Sequence, residues 1–258
     1  MRIAVENMSS RPDRVRQSRA DVFGNDPQSF RSDFSERKPG VPQLLLVEQP
    51  VPGSTVLAHY HSQDQFQVFI DGSGKLGAHD VGEVTLHYTN RYTGYGPIVA
   101  GEQGVSYYVL RPSFDTLGTG QYLVVPELRD KLKRHPGPKR SVVAEPVTHR
   151  TAGALRSLAQ PEVRRLLDGR DTDAERGLWA DEICLGPGME HVGPAPSAGS
   201  GQVLLVLSGG ISSGDATLRT RGGLAVTPDE PPLHVRALDE GAHLLFMQYP
   251  ARTPEGLA

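Results

Sequence analysis

The chain has 258 residues with 27 basic and 30 acidic side chains, which give a formal net charge of -3 at pH 7. Proteins that bind nucleic acid or anionic membranes usually carry a basic excess, so this composition favours a small-molecule partner over either of those. No apolar run reaches the roughly 18 residues of a membrane span, and the N-terminus lacks the apolar core of a signal peptide, so we expect a cytoplasmic protein.

Short strands should dominate the chain. Its 29 glycines and 21 prolines separate runs rich in Val, Leu, Ile, Thr and Tyr, a pattern that predicts an all-β protein. Residues 1–41 are polar and arginine-rich, and we expect them to form an arm that lies over the folded unit after it or over a neighbouring subunit. The next unit, residues 42–112, contains the predicted strands Phe66–Ile70 and Val84–Tyr88.

A histidine pair lies in this unit, within the stretch from Gly53 to Gly72. His59 and His61 are separated by one residue, and because successive side chains of a strand point to opposite sides, both imidazoles should lie on one face. Gln65 follows a short polar turn and should reach the pair from the neighbouring strand. Two imidazoles together are typical of a site for iron, manganese, nickel, zinc or copper.

The spacing of this stretch resembles the first motif of the cupin superfamily: Gly, five residues, His-x-His, three residues, an acid or amide, six residues, Gly. Gln65 departs from that pattern, since cupins usually carry Glu at this position. The resemblance implies a cupin-type β-barrel, a double-stranded β-helix of the jelly-roll kind, with a metal held by His59 and His61 and assisted by Gln65. The neutral amide would leave more of the positive charge of the metal for an anionic or chelating substrate.

The second cupin motif normally supplies another histidine, and the best alignment places Tyr95 there instead. His87 is the nearby imidazole and is a further candidate ligand. We expect Tyr95, which follows Gly94 at a turn, to act as a general acid or base near the metal. Gln67 should point the same way as Gln65, so it is a candidate to orient the substrate. For Arg111 we expect a surface ion pair, with a substrate carboxylate as the alternative.

The segment after this unit, residues 113–177, has a different character. Pro126–Arg134 and Pro161–Leu167 each begin with proline and predict two short helices, the second stopped by Gly169. We therefore interpret residues 113–177 as a short helical connector.

Residues 178–258 repeat the pattern of residues 42–112. The apolar strand Val203–Leu207 corresponds to Phe66–Ile70, which predicts two tandem barrels, the arrangement called a bicupin. In this alignment His59 and His61 fall opposite Pro194 and Pro196, and proline cannot bind a metal. The second barrel is therefore predicted to be degenerate. Three of its side chains receive structural interpretations: Cys184 should pack in the core, and His234 and His243 should mark strand ends.

The resemblance implies a metal-dependent enzyme of small-molecule metabolism. We favour an oxidoreductase, a dioxygenase acting on a chelating anionic or enolic substrate in the first barrel, with iron as the favoured divalent metal. A non-redox isomerase, cyclase or lyase is one alternative, because the metal could act as a Lewis acid. A barrel that binds a small ligand without catalysis is another. A homodimer is compatible with all three.

Overall fold

The computed structural model describes residues 1–9, 11, 13–16, 28–117, 120–145 and 147–252. The chain falls into two compact units, which we call the first unit (residues 10–146) and the second unit (residues 1–9 with 147–258). Both consist mainly of antiparallel strands, which confirms the predicted all-β class. No helix in the described part of the chain combines the length and apolar character that a membrane crossing requires.

The first half of the chain forms β1 (Arg2–Val5), β2 (Val15–Arg16), β3 (Phe30–Asp33), β4 (Gln43–Gln49), β5 (Thr55–Val56), β6 (His59–Tyr60), β7 (Gln65–Leu76), β8 (His79–Gly82), β9 (Thr85–Thr89), β10 (Ile98–Arg111), β11 (Gln121–Tyr122), α1 (Pro126–Arg134) and β12 (Ser141–Val143). All except β1 belong to the first unit, where the main sheet has the order β12-β9-β7-β10-β4-β3-β2. Strand β5 pairs with β10, β8 pairs with β7, and β6 pairs with β11. The inner faces of β4, β7 and β10 supply Val47, Phe69 and Val109 to the core of this unit.

The second half forms α2 (Ala152–Arg156), β13 (Glu162–Asp168), β14 (Trp179–Leu185), β15 (Glu190–Val192), a 3-10 turn (Pro196–Ala198), β16 (Gln202–Ser213), β17 (Ala216–Arg219), β18 (Gly223–Val226) and β19 (His234–Gln248). The main sheet of the second unit has the order β1-β18-β16-β19-β14-β13, with β15 on β19 and β17 on β16. Its core contains Trp179, Ile183, Leu204, Leu244 and Phe246.

The two sheets have the same central topology, as the internal repeat predicts. The order β9-β7-β10-β4-β3 in the first unit corresponds to β18-β16-β19-β14-β13 in the second. The outermost partner differs in origin. In the first unit β12 pairs with β9, whereas in the second unit the N-terminal strand β1 pairs with β18.

The glycine that ends the histidine motif has a structural reason to be there. Gly72 has a φ of +69°, and a Cβ atom on it would lie 2.2 Å from the carbonyl oxygen of Gly104 on β10. Gly209 in the second unit repeats this geometry, with a φ of +74° and the Gly241 carbonyl oxygen 2.0 Å away from such an atom. At both positions the backbone of the paired strand leaves no room for a side chain, and the positive φ favours glycine.

The helical predictions had mixed outcomes. Helix α1 is confirmed with the predicted bounds, but the helix predicted for Pro161–Leu167 is wrong, because these residues lie mostly in β13. Strand β13 pairs with β14, and the cross-strand ion pairs of Arg164 with Glu182 and Arg165 with Asp181 stabilise the extended form. The segment expected to be a helical connector therefore also contains three strands, of which β11 and β12 belong to the first unit and β13 to the second.

The arm prediction for residues 1–41 is tested only in the described part of that segment. Strand β1 is an integral strand of the second sheet, and β2 and β3 extend the first sheet beyond β4. These residues complete the sheets instead of lying over them, because their backbone groups pair with the edge strands β18 and β4.

Candidate metal and substrate site

His59 and His61 come together in the first unit at the predicted position. Both rings are buried, and their centroids lie 5.0 Å apart in an edge-to-face arrangement. His59 is in the short strand β6, which forms an isolated backbone bridge with Tyr95. The amide nitrogen of each of these two residues donates to the carbonyl oxygen of the other, at 3.1 and 3.0 Å, so the backbone holds Tyr95 directly opposite His59.

The hydrogen bonds of His59 determine which of its nitrogens carries a lone pair. Nδ1 donates to the carbonyl oxygen of Leu57 at 2.6 Å, and Nε2 accepts from the hydroxyl of Tyr95 at 2.9 Å. Burial lowers the pKa of His59 to about 4, so the ring is neutral near pH 7. Its Nε2 atom is therefore a lone-pair donor on the side of Tyr95.

His61 is oriented by a carboxylate that the sequence analysis missed. Its Nδ1 donates to the buried carboxylate of Asp115, which also accepts from the Ser62 hydroxyl at 2.5 Å and from the Leu117 amide at 3.1 Å. Burial and the nearby charge of Arg111 lower the pKa of His61, so its ring is neutral as well. With Nδ1 protonated, Nε2 of His61 is also left as a lone-pair donor.

Gln65 connects Tyr95 to a buried cation. Its amide nitrogen donates to the Tyr95 hydroxyl at 2.8 Å, and its carbonyl oxygen accepts from Arg111 Nε at 2.9 Å. Arg111 also donates from a terminal nitrogen to Gln43 Oε1 at 2.5 Å and is only 4% exposed. The expected surface ion pair of Arg111 is therefore wrong. The residue lies on the inner face of β10 because its side chain alternates with Leu110 and shares a face with Val109 and Tyr107.

Gln67 and His87 form a neighbouring polar pair on the same inner face. Gln67 Oε1 accepts from His87 Nδ1 at 2.8 Å, and His87 Nε2 pairs with the Ser141 hydroxyl at 2.8 Å. Both nitrogens of His87 are thus engaged by β7 and β12, although its ring centroid is only 5.3 Å from that of Tyr95. Burial lowers the pKa of His87 to about 3, so this imidazole is also neutral.

The corresponding region of the second unit carries no such pair in its described residues. Pro196 opens the 3-10 turn, and Gln202, which aligns with Gln65, donates to the Pro194 carbonyl at 3.0 Å and to Gln248 Oε1 at 2.8 Å. In the core of this unit the rings of Trp179 and Phe246 pack edge to face with centroids 5.0 Å apart. Apolar side chains therefore fill the interior of the second unit.

Comparison with solved structures identifies the fold. The chain is similar to a proposed dioxygenase from Nostoc punctiforme (TM-score 0.56, 12% identity, covering 98% of this chain and 81% of that one). It is similar also to oxalate decarboxylase from Bacillus subtilis, whose Mn(II) centres have been described (TM-score 0.54, 14% identity, covering 87% and 74%). The chain has the cupin fold. No protein-family model matches it, and no curated protein sequence matches it.

We call the first unit the first cupin barrel and the second unit the second cupin barrel. Two side chains of the first cupin barrel suit a metal ion as ligands. His59 and His61 each present a neutral imidazole with a lone pair on Nε2, which is the form in which histidine binds a metal. The hydrogen bond from His61 to Asp115 matches the carboxylate-histidine arrangement that commonly orients such ligands. Gln65 differs, because its carbonyl oxygen already accepts a hydrogen bond from Arg111.

Proposed function

We propose that the first cupin barrel is a metal-dependent enzyme that acts on a small anionic or enolic substrate. The observation that carries the proposal is the tautomeric state of the two imidazoles. Leu57 and Asp115 engage Nδ1 of His59 and His61, so both rings keep Nε2 as the ligand atom. A divalent transition metal bound there, with iron favoured and manganese next, would supply positive charge that polarises a substrate oxygen.

Arg111 is the proposed binding partner of the substrate anion. It is a buried cation that donates to the side-chain oxygens of Gln43 and Gln65. A guanidinium in a low-dielectric barrel interior attracts a carboxylate or enolate more strongly than it would in water. Asp115 is a buried carboxylate near this charge, but it accepts hydrogen bonds from Ser62 and Leu117 as well as from His61.

Tyr95 is the proposed proton donor to the substrate. Burial raises its pKa to about 12, so the hydroxyl keeps its proton near pH 7. The proton is directed at His59 Nε2, 2.9 Å away. If a metal took the lone pair of His59 Nε2, the Tyr95 hydroxyl would lose this acceptor and could donate its proton to a substrate oxygen.

Gln65 and Gln67 have orienting roles in this proposal. The two hydrogen bonds of Gln65 fix the direction of the Tyr95 hydroxyl and of the Arg111 guanidinium, so we assign Gln65 to positioning and not to the ligand set. Gln67 keeps its predicted role of orienting substrate, and its partner His87 holds it in place. His87 is therefore not proposed as a ligand either.

The proposed reaction type rests only on the similarity of the fold to solved structures. A dioxygenase reaction is favoured because one structural neighbour carries that provisional description, and a non-redox reaction is the alternative because the other is a decarboxylase. The homodimer and the cytoplasmic location stay predictions from the sequence.

Metal analysis with substrate screening tests the proposal. Wild-type protein and the His59→Ala/His61→Ala variant are loaded with Fe²⁺ or Mn²⁺, and the exposed His79→Ala serves as a matched control. Small carboxylic and enolic acids are then screened by oxygen consumption under air and by product analysis without oxygen. We expect the double variant to bind one equivalent of Fe²⁺ or Mn²⁺ less than wild type and to lose turnover, and His79→Ala to match wild type in both. Equal binding of these metals by wild type and double variant would refute the metal site. Metal-dependent ligand binding without turnover of any acid would favour the non-catalytic barrel.

A further inference from the structure

A second group of metal-ligating side chains lies on the outer face of the second cupin barrel. Glu182 and Cys184 are two residues apart on β14, and His243 on β19 is the register partner of Cys184. The intervening residue Ile183 and the next residue Leu244 belong to the core of the barrel. Because side chains alternate along a strand, the three polar groups point away from that core, on the opposite side of the sheet from a cupin-type interior site.

The three side chains form a compact, buried group. One ligand atom from each lies within 4.8 Å of the other two, and their residues are 6%, 3% and 0% exposed. Four-coordinate zinc at its usual bond lengths places ligand atoms about 3.3 to 3.8 Å apart, so small side-chain movements are enough to close the group around an ion. His243 is therefore not a strand-end residue, as the sequence had suggested, but lies buried in the middle of β19.

The segment before α2 covers this group and brings a fourth candidate ligand. The ring of His149 packs edge to face with the ring of His243, with centroids 6.2 Å apart. Next to it, the Arg150 carbonyl accepts from the Ser208 hydroxyl at 2.9 Å, which fastens the segment to β16. The Arg150 amide makes a long contact of 3.4 Å with His243 Nδ1. His149 is exposed, so it can turn toward the group without breaking a core contact.

We propose that Glu182, Cys184 and His243 bind a zinc ion, with His149 as the fourth ligand. The mixture of a thiolate, imidazoles and one carboxylate suits zinc, and four protein ligands are typical of a structural site. The ion would tie the covering segment to β14 and β19. On binding, the thiol proton of Cys184 leaves to solvent, and the ring proton that His243 Nε2 donates to Glu182 Oε1, 2.9 Å away, moves to Nδ1 of the same ring. The long contact from the Arg150 amide to Nδ1 is then lost.

Two other roles of the group are less compatible with its surroundings. An activated nucleophile is one of them. Burial, together with the charge of Glu182, raises the pKa of Cys184 to about 11, so the Cys184 side chain is a neutral thiol and is not activated. A purely hydrogen-bonded network is the other role, because Glu182 also accepts from Arg164 Nε at 2.7 Å. That network accounts for Glu182 and His243, and Arg150 extends it to the Cys184 thiol, but it gives no reason for the neighbouring imidazole of His149.

Cobalt(II) titration of the full-length protein distinguishes zinc binding from the hydrogen-bonded network. The His59→Ala/His61→Ala variant is the parent, since it removes the site in the first barrel and leaves the group around Cys184 intact. We expect the parent to bind one Co²⁺ per chain with a thiolate-to-cobalt charge-transfer absorption, and Zn²⁺ to displace the Co²⁺. Cys184→Ser should abolish the absorption, His149→Ala should weaken Co²⁺ binding, and the exposed His234→Ala should change neither.

The proposal is overturned if the folded parent shows no such absorption, an outcome that does not depend on how any further variant folds. Retention of the absorption in Cys184→Ser would overturn it too, because Cys184 is the single cysteine of the chain. Unchanged Co²⁺ affinity in His149→Ala would exclude His149 as the fourth ligand. Circular dichroism of the metal-free variants checks that each is folded. None of these results depends on whether the first barrel is an enzyme.

Discussion

His61 Nδ1 donates a hydrogen bond to the carboxylate of Asp115, a residue 54 positions further along the chain. This contact fixes the tautomer and the direction of the imidazole, because the carboxylate is itself held by Ser62 and by the amide of Leu117. A carboxylate in this position also makes the other ring nitrogen, Nε2, a stronger electron-pair donor to a metal. The affinity of the first barrel for metal should therefore depend on a residue that does not touch the metal.

Asp115→Asn tests this dependence. The asparagine oxygen can still accept from His61, but the negative charge is lost, so we expect metal affinity to fall about 10- to 100-fold. The measurement is competition for Fe²⁺ or Mn²⁺ against a chelator of known affinity. Asp80→Asn removes an exposed carboxylate of the same barrel, one paired with Lys75, and should leave the affinity unchanged. Equal affinities in the two variants would show that Asp115 does not orient a ligand.

Gly120→Ala should disturb the proposed metal site at its other histidine, His59. A Cβ atom on Gly120 would lie 2.3 Å from Cδ2 and 2.8 Å from Cγ of His59, so the ring would have to move. The ring is held by Leu57 and Tyr95, and we expect the displacement to break one of these hydrogen bonds and to lower metal affinity.

Gly82→Ala is the matched control for this substitution. A Cβ atom on Gly82 has only an ordinary contact, 3.8 Å from the carbonyl oxygen of Gly72. Metal titration of both variants should show a loss confined to Gly120→Ala. If Gly120→Ala binds metal as tightly as wild type, the ring position of His59 does not limit binding.

The sequence predicts some parts of this site and not others, and the reason is the range of the contacts. The His-x-His spacing and the strand alternation of Gln65, Gln67 and Phe69 are local, and they place these side chains together. Asp115 has no local signal, because its position follows from a loop that returns to the barrel after β10. Arg111 does have a local signal, because it alternates with Leu110 and shares a face with Val109, but arginine is so often exposed that the sequence favours a surface ion pair.

The error at residues 161–167 has a different origin. Proline at the start and glycine at the end mark the bounds of a strand as readily as those of a helix. Pairing with β14 decides the outcome, and the sequence does not display it, because the partners Glu182 and Asp181 of Arg164 and Arg165 lie beyond a glycine-containing turn. The shared central topology of the two barrels, in contrast, was visible as an internal repeat.

Arg111→Met should separate substrate binding from metal binding. The thioether chain fills a similar volume without the charge, so we expect anionic ligands to bind about tenfold or more weakly, with the metal retained. Isothermal titration of the metal-loaded protein with small carboxylates measures this change. Arg129→Met, on the exposed surface of α1, should bind them as wild type does. Unchanged binding in Arg111→Met would remove Arg111 from the substrate site.

Asp33 should give the first barrel an acid-sensitive contribution to stability. Burial alone would raise its pKa, but hydrogen bonds from Arg31 and Arg37 outweigh that effect and hold the pKa below the usual value. A depressed pKa in the folded state stabilises the protein above the unfolded-state pKa of about 3.9, and this stability is lost as the pH falls through the folded-state value.

The acid sensitivity can be measured with Asp33→Asn. We expect the variant to unfold at lower urea concentration than wild type near neutral pH, and the difference to shrink as the pH falls below about 4. Asp130→Asn, whose carboxylate is exposed on α1, controls for the loss of one charge. A difference between Asp33→Asn and wild type that does not depend on pH would mean that the substitution acts through packing and not through the ion pairs.

Tyr95→Phe tests the proposed proton donor, the residue that the sequence alignment predicts at the position of a cupin histidine. Without its hydroxyl, His59 Nε2 loses a donor and the Gln65 amide loses an acceptor, and both groups are buried. Leaving buried polar groups without a partner costs about 1 to 3 kcal/mol, so the metal-free variant should be less stable by this order. Tyr107→Phe removes another buried hydroxyl of the same barrel, but the hydrogen bond of this hydroxyl to Gln49 is long, 3.3 Å. Tyr107→Phe should therefore lose less stability than Tyr95→Phe.

Metal binding should compensate for part of this loss in Tyr95→Phe. A metal at His59 Nε2 occupies the lone pair that lost its donor, so the stability difference between the variant and wild type should narrow when Fe²⁺ or Mn²⁺ is added. Turnover should still be reduced, because the proposed proton donor is absent. Urea unfolding with and without metal, combined with the activity assay, measures both effects. A difference that stays the same on metal addition would mean that His59 Nε2 does not bind the metal.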